Sequence, residues 1–236
     1  MKPWQEEWQR FRQMNGKQKL VHLWTYYKFH ILVILAALVI IGDFGFRALT
    51  KKTTVLYLGE VNIAADPDLQ DALSTGYLAH TGADPDRQEV FLYTAIYLFK
   101  EPTMENQEYV SASQMKLMTA TNTQMLDLVL MNREGYDICS ANGYLVDLRT
   151  VFPAGDPQWA ALAACLTEND VLLADDSTEE YSTVSQKVCN GLDVSRFPIF
   201  QQGDYPDGIY LGLITGTPRM EECRNYIAYL SAWQPD

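Results

Sequence analysis

Apolar residues follow two patterns along this chain. Residues 31–41 (ILVILAALVII) are apolar at every position, whereas from residue 55 onwards short apolar clusters alternate with polar turns. Eleven apolar residues fall short of the roughly 20 that a membrane-spanning helix needs. The run is lengthened by Leu23, Trp24, Tyr26, Tyr27 and Phe29 before it, and by Phe44, Gly45 and Phe46 after it. Lys28 and His30 can snorkel to the headgroups, and the flanking aromatic rings suit the interface. Residues 23–46 are therefore expected to form a tilted, uncleaved transmembrane signal anchor. A buried core helix and a cleaved signal peptide are the competing readings, although no clean small-x-small cleavage site follows the run. No cysteine precedes Cys139, so a lipobox is excluded. Residues 1–22 place Trp4, Trp8 and Phe11 at helical spacing, as would a cytoplasmic amphipathic segment on the inner leaflet or a solvated tail.

Beyond a linker over 47–54, the pattern turns to alternating strands and helices. A strand is expected over 55–61 (VLYLGEV). Asp66-Pro67-Asp68 then supplies an N-cap, a first-turn proline and early acidic charge. The helix it opens should carry Leu69, Leu73, Tyr77 and Leu78 to about His80. Residues 90–99 are aromatic and β-branched, and so predict a strand. A helix over 113–122, a buried strand over 126–131 and a helix over 132–141 ended by Asn142-Gly143 follow. This β-α-β-α-β-α order predicts an open α/β sheet with parallel pairing. Residues 157–165 predict a helix, 171–174 and 184–194 two strands, and 204–208 (DYPDG) a turn. The chain closes with a strand over 209–214 and a helix after Thr217-Pro218 that bears Met220, Cys223, Tyr226, Ile227, Leu230 and Trp233.

Charge divides at the apolar run. The whole chain has 18 basic and 30 acidic side chains, a net −12. Residues 1–50 hold seven basic residues against three acidic, a net +4, which leaves 11 against 27, a net −16, for residues 51–236. Six of those first seven basic residues precede the run, which places the N-terminus in the cytoplasm and the acidic domain outside the cell membrane. So acidic a domain excludes nucleic acid as a partner, because phosphates need a Lys/Arg-rich face.

No catalytic set emerges. The chain has only three histidines, and His80 alone lies in the outer domain. HExxH, GxSxG, P-loop and GxGxxG patterns are all missing, so no enzyme, cofactor or metal site is expected. Cys139, Cys165, Cys189 and Cys223 contain no CxxC pair. They allow two disulfides in three connectivities, yet each lies in an apolar element, as buried free thiols do. The clusters Asp66/Asp68/Asp71 and Asp175/Asp176/Glu179/Glu180 lack the spacing of a calcium loop, and helix capping or a solvated loop explains them.

Residues 126–152 (LDLVLMNREGYDICSANGYLVDLRTVF) run through a strand beginning with Asp127, a short helix, Gly143 and a turn with Leu145 and Leu148. This segment resembles extracytoplasmic solute-binding proteins of the type 2 periplasmic-binding-protein class. The closing IYLGLITGTPRMEECRNYIAYL looks like their returning strand and helix, and the apolar start is similar to the anchor of membrane proteins of Gram-positive bacteria carrying such a domain. The resemblance implies an extracytoplasmic α/β domain over 55–236, with a second lobe reduced to residues 149–208. It also implies a non-catalytic binding role. A ligand cleft should then lie at the carboxyl ends of the strands, with Asn62, Asn132 and Arg133 as first contacts. The competing reading has Asn132 capping its helix and Arg133 solvated. Expected partners are the lipid bilayer through 23–46, a small molecule or peptide, and a membrane protein. The alternative role is structural: assembly of the cell envelope by binding a protein and no solute.

Overall fold

The computed structural model describes residues 15–16, 24, 28–30, 32–43, 51–152, 155–174 and 182–234. It divides into two units, 1–51 and 52–236. In the first, residues 32–43 are helical. The side chains of Leu32, Val33, Ile34, Leu35, Leu38 and Val39 are each more than half exposed. No helix among the described residues is long and apolar enough to cross a membrane. The expected span over 23–46 lies partly outside the described residues, and the segment over 1–22 almost wholly so.

The second unit is a six-stranded mixed sheet with helices on both faces. Its elements in chain order are β1 (Thr53–Val61), α1 (Pro67–Asp71), a π-helical turn (Ala72–Gly76), α2 (Tyr77–Thr81), β2 (Gln88–Ile96), α3 (Gln107–Asn122), β3 (Leu128–Met131) and α4 (Arg133–Ala141). There follow α5 (Leu148–Val151), α6 (Pro157–Leu162), β4 (Leu166–Ala174), β5 (Thr183–Asp193), a 3-10 turn (Pro198–Phe200), β6 (Tyr210–Leu213) and α7 (Met220–Ala232). Strand order is β2-β1-β3-β6-β5-β4. β1 pairs in parallel with β2 and β3, and the remaining pairs are antiparallel.

Alternation along β1 and β3 sorts the core onto two faces. Leu56, Leu58 and Leu130 pack with Leu73 and Tyr77 of the first helical segment and with Tyr226 and Ile227 of α7. Val61, Val129 and Met131 pack on the other face with Leu117 of α3 and Tyr136 of α4. All four residues of β3 are buried, as expected for a parallel-sheet strand covered on both sides.

Asp66 caps the first helix as the sequence predicts, its carboxylate accepting from the Leu69 amide at 2.8 Å, and Gly82 ends it at φ 70°. The π turn inside this helix has a visible cause. The Tyr226 hydroxyl donates to the Leu73 carbonyl and the Tyr229 hydroxyl to the Ala72 carbonyl, each at 2.7 Å. Gly76 makes room for this, since a Cβ there would lie 2.7 Å from the Tyr229 hydroxyl.

Two elements are longer than their sequence pattern suggests. α3 starts at Gln107, because a single buried residue, Val110, serves its first turns and leaves no apolar periodicity to detect. β4 starts at Leu166 rather than near 171; its segment LTEND is polar because β4 is an edge strand. Residues 149–208, expected as a reduced second lobe, supply α6 and the β4–β5 hairpin, whose strands extend the same sheet. β5 meets β6 only through Leu192 and Asp193, so the outer part of the hairpin is a two-stranded ribbon.

The buried Asp127 joins three elements ahead of β3. Its carboxylate accepts from the Tyr57 amide and from Arg219 Nε, both at 2.8 Å, and from the Thr217 hydroxyl. Arg219, the cap residue of α7, also lies over the Tyr57 ring at 4.7 Å. All four cysteines are free thiols. Burial pushes Cys139 and Cys223 up to about 12, which makes them unreactive core residues.

Candidate ligand cleft

Two of the three residues expected at the ligand meet at the carboxyl ends of the parallel strands. Asn62 directly follows β1 in a left-handed conformation, φ 54°, which asparagine tolerates better than most residues. Its side chain latches the segment after β2: Oδ1 accepts from the Leu98 amide at 2.8 Å, and Nδ2 donates to the Leu98 carbonyl. Nδ2 also donates to Asn132 Oδ1 at 3.3 Å. Asn132 in turn caps α4, its Oδ1 accepting from the Gly135 amide at 2.9 Å. Gly135 is required where it stands, since a Cβ would come within 2.9 Å of Val61 Cγ1. The two asparagines thus hold three strand ends together and line a cleft of about 240 Å³. Its opposite wall is the turn Asp204-Tyr205-Pro206-Asp207-Gly208. That turn is fixed at its base by Ser195, whose hydroxyl donates to Asp193 and accepts from the Ile209 amide at 2.9 Å.

Arg133 points elsewhere and is not among the residues lining this cleft. Its Nε donates to Asp137 at 3.0 Å, and its guanidinium lies over the rings of Tyr136 and Tyr210, which stack on one another at 5.0 Å. Lys100 and Asn169 also donate to Asp137, at 2.8 and 2.9 Å. Partial burial works against ionisation of Asp137. The hydrogen bonds from Lys100 and Asn169, with the charge of Arg133, outweigh it and hold the carboxyl below its usual range.

Four residues that the sequence reading passed over complete the picture. Tyr205, Asp204 and Asp207 read as turn chemistry alone; their signal was the density of acids in a turn feeding a buried strand. Tyr205 also forms a wall of a second cleft, about 520 Å³, with Asp66, Asp68, Gln202 and Trp233. Burial, then the charges of Asp66 and Glu60, push the Tyr205 phenol up. Glu60 is the fourth, a lone carboxylate in an otherwise apolar strand. It is 1% exposed, and its Oε1 has no hydrogen-bond partner among the described residues. Burial pushes its carboxyl up to about 7.

The side chains that line these clefts are mostly polar and acidic. His80 packs its ring on Tyr229 at 5.1 Å and lines neither cleft, and no group of three His, Cys, Asp or Glu suited to a metal is found among the described residues. No protein-family model, curated protein or solved structure matches the chain.

Proposed function

We propose that this protein is a membrane-anchored, extracytoplasmic binding module that resembles the solute-binding proteins and has no catalytic role. The observation that carries this reading is the meeting of Asn62 and Asn132 in one cleft, at the carboxyl ends of adjacent parallel strands. Open α/β sheets hold ligands at that edge, where loops from neighbouring strands diverge. The order of the parallel strands, with β6 returning antiparallel beside β3 and leading into α7, further supports the resemblance. For the anchor, support comes from a helical segment that is apolar on every side and exposed. Such a helix needs apolar surroundings, which a bilayer supplies. The excess of basic residues before it favours a cytoplasmic N-terminus.

The reading is tested by screening the full chain in detergent against solute libraries for thermal stabilisation, since a ligand that binds only the folded state raises its stability. A stabilising solute should lose its effect in Asn62→Ala and Asn132→Ala. Stabilisation that persists in both would place the ligand elsewhere.

A second reading, envelope assembly through a protein partner, is favoured by a different surface. Between α3 and α4 lies a cleft of about 410 Å³ lined by Leu98, Met115, Met118, Ile138 and Tyr144. Met115 and Met118 are exposed, and methionine-rich surfaces adapt readily to partner proteins. Crosslinking of the full chain in its own membrane, compared with Met115→Glu and Met118→Glu, separates the two readings.

A further inference from the structure

We propose that the outer edge of β2 is an interface between two copies of this chain, with each β2 pairing antiparallel to the other about a two-fold axis at Phe91. Neither reading above uses this edge of the sheet.

The hydrogen bonds of β1 fix which backbone groups of β2 face outward. The Tyr57 amide donates to the Asp127 carboxylate, and the Tyr57 carbonyl accepts from the Asp127 amide, so Tyr57 turns its backbone towards β3. Its neighbours Leu56 and Leu58 therefore turn theirs towards β2. Leu58 stands opposite Leu92, which directs its bonds to Phe91 and Tyr93. Val90 and Leu92 are left with amides and carbonyls pointing away from β1, on a side where no strand lies. The next outward groups in either direction are already used. The Gln88 amide donates to the Asp84 carbonyl, and the Thr94 carbonyl accepts from Lys116 Nζ, each at 2.8 Å. A bulge with Ala95 at φ 56° then bends the strand out of line.

The open window is thus symmetric about Phe91, with a used group three residues to either side. An axis at Phe91 pairs Val90 with Leu92 of the second copy, and every outward group in the window finds a partner. Moving the axis to Val90 would call on the Gln88 amide, and moving it to Leu92 would call on the Thr94 carbonyl. Few strand partners fit this window as well as the strand itself.

The side chains agree with that register. Phe91 is exposed, leaning on Tyr57 and Tyr93 with ring centroids 5.9 and 4.8 Å away. It would face Phe91 of the second copy in a non-hydrogen-bonded pair, where side chains approach most closely. Glu89 would stand opposite Tyr93 of the second copy, and Lys116 lies over the Tyr93 ring at 5.6 Å. Neither Glu89 nor Lys116 forms an ion pair among the described residues. The two-fold pairing therefore brings an acid to a base at both of its ends. The opposite edge of the sheet is closed by its own side chains: in β4, Asn169 Oδ1 accepts from the Asp170 amide and the Ser140 hydroxyl donates to the Asp170 carbonyl, each at 2.8 Å. An apolar edge without such cover is a template for another strand.

The experiment is light scattering of the full chain in detergent at micromolar concentration, corrected for bound detergent. A dimer is expected. Phe91→Lys sets like charges against each other on the axis and removes the ring pair, so it should weaken self-association at least about tenfold. Glu89→Lys and Lys116→Glu should each weaken it as homodimers, whereas a mixture of these two variants should form a heterodimer as stable as wild type, because both junctions then pair opposite charges. Thermal unfolding of each variant reports that the fold is intact, and the mixing result decides if Phe91→Lys does not fold. A monomeric wild type would overturn the proposal, as would a dimer that Phe91→Lys leaves unchanged or a mixture no more associated than its components. Association lost in Met115→Glu but kept in Phe91→Lys would also overturn it, and would assign the contact to the methionine cleft of the second reading.

Discussion

Two acidic residues are buried at the central strands of this sheet, Glu60 within β1 and Asp127 just ahead of β3, and they are treated in opposite ways. Asp127, ahead of β3, accepts from a backbone amide, a hydroxyl and an arginine, so every demand of a buried carboxylate is met from within the chain. Glu60, near the other end of β1, has an oxygen with no partner among the described residues and is held by burial near a pKa of about 7. The first arrangement stabilises the fold by tying β1, β3 and the start of α7 together. The second works against stability once the carboxyl ionises, because burial disfavours its charged form. The contrast separates the amino-end half of the sheet, where a buried carboxylate is fully paired, from the carboxyl-end half, where one carboxylate oxygen has no partner among the described residues.

The strongest way to break this comparison is to remove the satisfied acid. Asp127→Ala leaves Arg219 and the Tyr57 amide without their partner, and a broken buried pair typically costs about 3–5 kcal/mol. Chemical denaturation should show a loss of that size, and a loss below about 1 kcal/mol would mean the cluster is not the clamp described.

Next in size is Glu60→Gln, with the opposite sign. The folded-state pKa of about 7 lies above the ordinary 4.5, so the folded protein binds more protons than the unfolded chain between those values. Wild-type stability should therefore be greatest below about pH 4.5 as far as Glu60 is concerned. It should fall as pH rises through about 7, then level off. Each pKa unit is worth about 1.4 kcal/mol, so Glu60→Gln should be more stable than wild type by roughly 3 kcal/mol at pH 8 and about equal to it at pH 4. A denaturation series across pH reads both limits. A destabilised Glu60→Gln at pH 8 would show that the carboxylate has a partner and would erase the contrast with Asp127.

Smaller effects sharpen the carboxyl-end half. Asn132→Ala removes a helix cap and should cost about 1 kcal/mol, with a larger effect on any solute that uses the cleft. Arg133→Ala should cost no more than about 1 kcal/mol, since its pair with Asp137 is half-exposed. It should also leave solute binding unchanged, because its side chain does not line the cleft. A binding defect in Arg133→Ala would return that residue to the site.

These residues show where reading the chain succeeds. Asp66-Pro67, Asn132 and Asn142-Gly143 mark helix ends by local chemistry, and the structure places caps or turns at all three. The strand over 126–131 is legible because a strand buried on both faces is apolar throughout. The start of α3 and the first half of β4 are not legible, because one bears a single buried residue in its opening turns and the other is an edge. In the site, Asn62 and Asn132 could be singled out because each directly follows a recognisable strand. That the 204–208 turn walls the same cleft, over 140 residues beyond Asn62, leaves no local trace.

The sequence by itself determined the alternation of strands and helices and the division of charge at the apolar run. Each is a property of composition or of neighbours a few residues apart. Only the tertiary structure decided that the 149–208 segment extends the first sheet, that Arg133 turns to Asp137, and that Oε1 of Glu60 has no hydrogen-bond partner among the described residues while Asp127 is given three. Partnership of that kind depends on which distant segments pack together, and periodicity along a chain carries no information about that.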